Sequence, residues 1–512
     1  MTRRETRPVK FTALALLFLT ATAWAQPRFA GVFSDHVVLQ RDHETHIWGF
    51  GAKPGQQLEV RLGGSPRPAG IVRGDRWSVS FPPRPASNRG TTLELIIDGE
   101  TKSVIKDVVF GDVWLAAGQS NMQWPIRQVV KQLPEAKAWV EESHRPLVRM
   151  RRINDPVLKE SVQKSPDVHP GNWLPMTPEN MPGFSAVAAV YARYLHDELN
   201  VPIGIIDVSW GGKPIEPFIP RSAFQTPLLK QILQLANADD LEKLKTLHGG
   251  VIIRNPQGYP SAIYNARMYP LTPLRMKGFI WYQAESNCGR NEDPRFYRFK
   301  QQAMIEGWRA AWKDGQLPCF YVQLPSFAGA TGWIRMREEQ RLALSVPNTA
   351  MAVTIDVRGE GIHPPDKISV GRRLARLALA KTYRKRFLGV SGPIYYGHQI
   401  NGRAIHLKFR HAQTGLMVGN KPDVAPATET PGGVLRWFEI ADADGNWHPA
   451  NASIKGNEVV VSAPNVNAPR AVRYACAVEP QGGNLYNRAG YPASPFCTDL
   501  KLLPWEDHGG DR

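Results

Sequence analysis

Cysteine is scarce in this chain of 512 residues: four occur, Cys288, Cys319, Cys476 and Cys497. None forms a C-x-x-C pair or joins histidines at zinc spacing, so neither a structural zinc site nor a dithiol redox motif is readable. In an oxidising compartment Cys476 and Cys497, which share one β-rich segment, could pair; spacing alone leaves that open. Long apolar runs are lacking after residue 25, and no membrane span is expected. Nor does any stretch gather lysine and arginine with interleaved aromatics, so the formal net charge of +17 is not read as a nucleic-acid site. Scattered positive charge suits a protein working near anionic surfaces or glycans equally well. There is no repeat of fixed period and no low-complexity linker.

The apolar run that is present lies at the start. Arg3, Arg4, Arg7 and Lys10 precede FTALALLFLTATAWA, which ends in Ala23-Trp24-Ala25. Basic residues, a short apolar core and a small-x-small end make residues 1–25 a secretory signal, with the mature chain starting near Gln26. A buried amphipathic helix is the poorer reading, because residues 14–19 offer no polar face. An exported protein, periplasmic or extracellular, is therefore expected. Hydrophobic residues make up 42% of the chain, ordinary for a folded protein, and its length calls for two or three domains.

Residues 26–108 alternate short strands with Gly, Pro and Asn turns (HIWGFG, QQLEVRLGG, RWSVSFPPRP, TTLELIIDGE, SVIKDVVFG), which predicts a small β-sandwich. Trp48 and Trp77 sit at inward-compatible positions of that alternation and are expected in its core rather than on a sugar platform. From 109 to 387 the pattern becomes apolar runs separated by helices: VWLAA, IGIIDVS at 203–209, GFIWYQ at 278–283, CFYVQL at 319–324 and AMAVTI at 350–355. Continuous apolar strands of this kind predict a parallel sheet covered on both faces. The covering helices are read at 185–199, 296–312 and 367–382 from apolar residues three and four apart. Residues 388–512 return to β composition and predict a third, β-rich domain.

The polar residues that matter follow the apolar strands, at the edge where open α/β sheets hold ligands. Ester hydrolysis by serine needs a nucleophile, a base, an acid to orient the base, and donors for the oxyanion. After VWLAA comes Gly118-Gln119-Ser120-Asn121, a plain turn or a nucleophile at a strand end. After IIDVSW comes Gly211-Gly212, where a backbone N–H can approach a carbonyl. The third strand ends in Gln283-Ala284-Glu285-Ser286-Asn287, an amide donor and a carboxylate close together. The fifth is followed by Asp356, Glu360 and His363, the last fixed by Pro364-Pro365. Each has a bland reading taken singly: Gly211-Gly212 as a turn, Glu285 as a helix-start carboxylate. The combination is far more specific than any member.

In these blocks the chain resembles the sialate O-acetylesterase-like carbohydrate esterases of the SGNH hydrolase superfamily. The resemblance rests on FSDHVVLQRD at 33–42, GDVWLAAGQSNMQW at 111–124, VSWGGKPIEPF at 208–218, GFIWYQAESN at 278–287, GIHPPDK at 361–367 and NLYNRAGYPASPF at 484–496. It implies an α/β fold, with an SGNH-hydrolase (flavodoxin-like) central parallel-sheet domain flanked by β-rich N- and C-terminal domains. It also implies an acetylesterase acting on O-acetyl sugars, with Ser120 as nucleophile and His363 as base, and Gly211, Gly212, Gln283 and Asn287 binding substrate. Two departures stand out: Ala284 replaces a glycine of the family's third block, and the positions before His363 are Glu360 and Gly361, where many such enzymes place an aspartate. The orienting acid is thus expected to be Glu285, then Glu360, then Asp356.

The chemistry so implied uses no metal and no organic cofactor, and its partner is an acetylated carbohydrate: plant xylan or xyloglucan, or O-acetyl sialic acid. Trp124, Trp210, Trp281 and Tyr282 would suit any sugar ring. The residues favour plant polysaccharide slightly, since no compact basic site for a sialate carboxylate stands out beyond Arg290 or Arg295. The alternative is a non-catalytic carbohydrate-binding protein, for which Ser120 and His363 would not both be needed. A lipase or peptidase of the α/β-hydrolase type is disfavoured, because the G-x-S-x-G elbow is missing around Ser120.

Overall fold

The computed structural model describes residues 26–157, 164–288, 292–329, 332–357, 359, 361–422 and 424–503. The expected signal at 1–25 lies outside the described residues, as do Arg290 and Glu360. At the centre is an 11-stranded mixed sheet. Its main path uses β1 (Glu100–Gly118), β2 (Arg145–Arg152), β3 (Leu174–Met176), β4 (Ile203–Asp207), β5 (Gly278–Tyr282), β6 (Cys319–Val322) and β7 (Thr349–Ala352), in the order β3-β2-β4-β1-β5-β6-β7. All neighbours are parallel except β2 with β3.

Strands β4 to β7 are buried at every position, as strands covered on both faces must be. Successive side chains alternate between two cores. Trp114, Ala116, Ile205, Ile280 and Phe320 pack under α1 (Ala186–Leu199) and α4 (Lys367–Lys381). Val113, Leu115, Ala117, Phe279, Trp281 and Tyr321 face the opposite layer, which contains α2 (Tyr297–Ala311) and α3 (Gly332–Leu342). The helices predicted at 185–199, 296–312 and 367–382 thus form within a residue of each expected end.

Strand β2 had no counterpart among the predicted strands. Its sequence, RPLVRMRR, is half arginine, yet Arg149 and Arg151 are buried because their guanidinium groups find oxygens. Arg149 donates to Asp107 O at 2.6 Å and Arg151 to His169 O at 2.7 Å. Strand β1 also carries more than its sequence suggested. Its first half pairs with Ser87–Ile97 and its second half with β4 and β5, so the boundary expected at residue 108 falls inside one continuous 19-residue strand. Trp48 and Trp77 are buried in the N-terminal β layers, as expected.

Residues beyond 388 form further β-sheets around Ile405, Leu407, Ile440, Val459 and Val461. They are fastened to the central unit by Arg337 on α3. Its fully buried guanidinium donates to Leu324 O, Pro325 O, Ala477 O and Val478 O at 2.7 to 3.2 Å. The four cysteines are free thiols: Cys476 Sγ faces Phe496 O and Cys497 Sγ faces Asp499 O, with no disulfide between them.

Candidate active site

β1 runs at the middle of the parallel sheet, and the chain crosses outward from it on both sides. The crevice at its carboxyl end is where such a sheet binds ligands. The strand ends at Gly118, whose φ of +134° is open to glycine alone without strain. A Cβ here would stand 2.1 Å from Tyr282 O, so β1 and β5 touch backbone to backbone. Gln119 N then donates to Tyr282 O at 3.0 Å, and the chain turns into the short helix Ser120–Gln123. This turn lifts the Ser120 side chain out of the sheet.

His363 arrives from the loop between β7 and α4. Its Nε2 lies 2.8 Å from Ser120 Oγ, a contact between residues 243 positions apart. The half-buried imidazole has its pKa brought down to about 4, by burial first and then by the nearby Lys367 ammonium. It is therefore neutral near pH 7 and able to accept the serine proton. Among the described residues Nδ1 has no hydrogen-bond partner, and the ring is instead stacked on Trp124.

The carboxylates proposed to orient His363 stand as follows. Glu285 is buried, and its Oε1 accepts from Asn121 Nδ2 at 2.5 Å; no bond joins it to His363. Burial raises its pKa, against the opposing effect of the Asn121 bond. Asp356 is held by Arg373 at 2.6 and 2.8 Å, which commits both its oxygens. Glu360 is not among the described residues.

Gly211 and Gly212 come from the end of β4. A Cβ on Gly211 would lie 3.5 Å from Ser120 Cβ, so this loop passes beside Ser120, and Gly211 N donates to Gln123 Oε1 at 2.7 Å. Gln283 and Asn287 form a buried floor behind the serine turn rather than its open side. Gln283 Nε2 donates to Gln119 Oε1 at 3.1 Å and to Asn287 Oδ1 at 2.9 Å. Asn287 Oδ1 also accepts from Ile215 N at 2.9 Å, and its Nδ2 points to Glu216. A cavity of about 260 Å³ opens next to Gly212 and Ser286, with Lys213, Arg254 and the buried Glu292 in its lining.

Two residues of this site had no role in the sequence reading, Asn121 and Lys367, and Trp124, read there as a surface for a sugar ring, is stacked on His363. Asn121 and Lys367 lie inside the quoted GQSNMQW and GIHPPDK blocks, so the signal was present as motif membership without a function attached. Among the described residues no cluster of metal-ligating side chains occurs, and no helix is long and apolar enough to cross a membrane.

A serine bonded to a histidine at the carboxyl edge of a parallel sheet is the arrangement of a carboxylic ester hydrolase, and the relatives define which kind. Residues 110–380, more than half of the chain, match the family described as "Carbohydrate esterase, sialic acid-specific acetylesterase". The chain belongs to that family. It is 26% identical to the sialate O-acetylesterase of Rattus norvegicus, across 92% of this chain and 94% of the relative. With the sialate O-acetylesterase of Pongo abelii it shares 30% identity, across 72% and 73%. Among solved structures, a carbohydrate acetylesterase from Xanthomonas citri superposes with a TM-score of 0.79 at 32% identity, covering 93% of this chain and all of the other.

Proposed function

We propose that this chain is an exported carbohydrate O-acetylesterase that works through an acetyl-serine intermediate. The observation that carries the reading is the 2.8 Å contact between Ser120 Oγ and His363 Nε2. Ser120 Oγ attacks the acetyl carbonyl while His363 takes its proton. The imidazolium then protonates the sugar oxygen as the carbon–oxygen ester bond breaks, leaving acetyl on Ser120. A water deprotonated by His363 repeats the attack and releases acetate. The oxyanion is received by backbone N–H groups of the Ser120 turn and of Gly211, the latter once Gln123 lets go of it.

The substrate is an O-acetylated sugar within a glycan: acetylated plant polysaccharide such as xylan or xyloglucan, or O-acetyl sialic acid. The cavity beside Gly212 is lined by Lys213 and Arg254 together with Glu292, whose pKa burial pushes up to about 8, so it offers cationic donors and a protonated carboxyl that suit a hydroxyl-rich ring. The test is acetate release from acetylated xylan, acetylated xyloglucan and O-acetyl sialic acid by the wild type and by Ser120→Ala. Release from at least one substrate, abolished in the variant, is expected. Release from none by the wild type, or equal release by Ser120→Ala, refutes the proposal. Export is tested separately, by the mass of the mature amino terminus after secretion from a bacterial host.

A further inference from the structure

Two buried polar side chains flank the nucleophile and the base without entering the ester chemistry. Asn121 follows Ser120, and Lys367 opens α4 four positions after His363; both are fully buried. A carboxamide has two N–H donors and one oxygen, and all are engaged in Asn121. Nδ2 donates to Glu285 Oε1 at 2.5 Å and to Ile362 O at 3.0 Å, while Oδ1 accepts from Lys367 Nζ. An ammonium only donates and a carbonyl only accepts, so these partners fix which way the amide faces.

The residue after the nucleophile thereby grips the residue before the base. We infer that Asn121 and Lys367 are positioning residues: they form a buried bridge that sets the His363 loop against Ser120, and Glu285 acts on His363 through that bridge rather than by direct contact. The inference rests on the Ser120–His363 reading above. It explains how the 2.8 Å contact is kept while Nδ1 has no carboxylate among the described residues. The far end of the loop is pinned as well: Asp366 caps α4 through Ser369 N at 2.8 Å and accepts from Lys421 Nζ at 2.9 Å.

The bridge also controls charge. The groups facing His363 are Lys367, which opens α4, and Ser120 and Trp124 from the nucleophile helix; Glu285, from the turn after β5, and the capping Asp366 face Lys367 in turn, and Lys421, from the C-terminal sheets, is already bound to Asp366. Lys367 lies over the Tyr282 ring at 5.5 Å and opposes protonation of His363. Removing its charge should therefore raise the pKa of the imidazole, and any negative charge left on Glu285 pushes the same way.

The experiment follows His363 by ¹⁵N-histidine NMR titration, assigned with a His363→Gln sample, alongside kcat and KM for 4-nitrophenyl acetate against pH. In Lys367→Met the imidazole midpoint and the acid limb of kcat/KM should rise together by about one pH unit, with kcat down roughly ten-fold and KM little changed. Lys367→Arg should restore the midpoint. An unmoved midpoint in folded Lys367→Met, or an arginine variant that behaves like the methionine one, overturns the inference. If Lys367→Met does not fold, Asn121→Ser decides: a loss of roughly ten-fold or more in kcat at similar KM is expected, and unchanged kcat overturns the bridge. A wild type with no esterase activity would sink the functional proposal, while the NMR midpoints would still report on the bridge.

Discussion

Trp124 and His363 lie face to face, their ring centroids 4.3 Å apart and their planes inclined by 24°. The indole fixes the plane of the imidazole, so that rotation about the histidine's χ2 cannot carry Nε2 away from Ser120. Its π-face would also attract the imidazolium of the proposed mechanism more than the neutral ring. Replacing Trp124 with Ala should lower kcat by about five- to thirty-fold, the equivalent of roughly 1–2 kcal/mol, while Phe should keep most of the activity. Steady-state kinetics on an acetylated oligosaccharide read the difference; equal kcat in Trp124→Ala would make the stack passive.

The acid limb of kcat/KM should have its midpoint near 4, where His363 gains its proton and ceases to act as a base. Stability moves the same way. The imidazole has an ordinary value of 6.5 but about 4 when folded, so between those values the unfolded chain binds more protons. The contribution of His363 is complete above 6.5 and is lost as pH falls towards 4. Urea unfolding midpoints from pH 4 to 7 should therefore fall less steeply with acid in His363→Gln than in the wild type.

Glu285→Gln should reduce kcat more than Glu360→Gln. Glu285 is buried and bonded to Asn121, and an amide in its place can turn a donor towards the Asn121 donors. Parallel kcat measurements on the two variants settle the order; a larger loss in Glu360→Gln would make that residue the partner of His363.

Gly118→Ala should abolish activity and lower the melting temperature. Its new Cβ would meet Tyr282 O at 2.1 Å, a backbone atom that cannot move aside, at a φ of +134°. Strain of this kind costs about 3 kcal/mol or more. Circular dichroism melts check it, and a melting temperature equal to that of the wild type would contradict the close approach of β1 and β5.

Arg337→Met should destabilise the union of the central unit with the C-terminal sheets. It leaves Leu324 O and Ala477 O without a donor among the described residues, while Pro325 O keeps Trp333 Nε1 and Val478 O keeps Phe327 N, at a cost of about 3 kcal/mol. Differential scanning calorimetry is expected to show a lowered or split transition; an unchanged single transition would mean that the other contacts across the junction, such as Lys421 with Asp366 and Phe327 N with Val478 O, hold it without Arg337.

The parallel strands were legible because a strand buried on both faces leaves an uninterrupted apolar run, as in GFIWY and IGIID. RPLVRMRR was not legible, because the oxygens that receive Arg149 and Arg151 come from Asp107 and His169, at distances along the chain that no local pattern records. The site divides along the same line. Sequence by itself determined the chemical inventory: Ser120 after one strand, His363 held by prolines, carboxylates and glycines at the other strand ends. Only the tertiary structure decided the partnerships. It brought His363 across 243 positions to Ser120, spent Asp356 on Arg373, and turned Glu285 towards Asn121 instead of the imidazole. A side chain's residue type sets what it can donate or accept, but which partner it meets depends on loop geometry and on which groups must share a buried space.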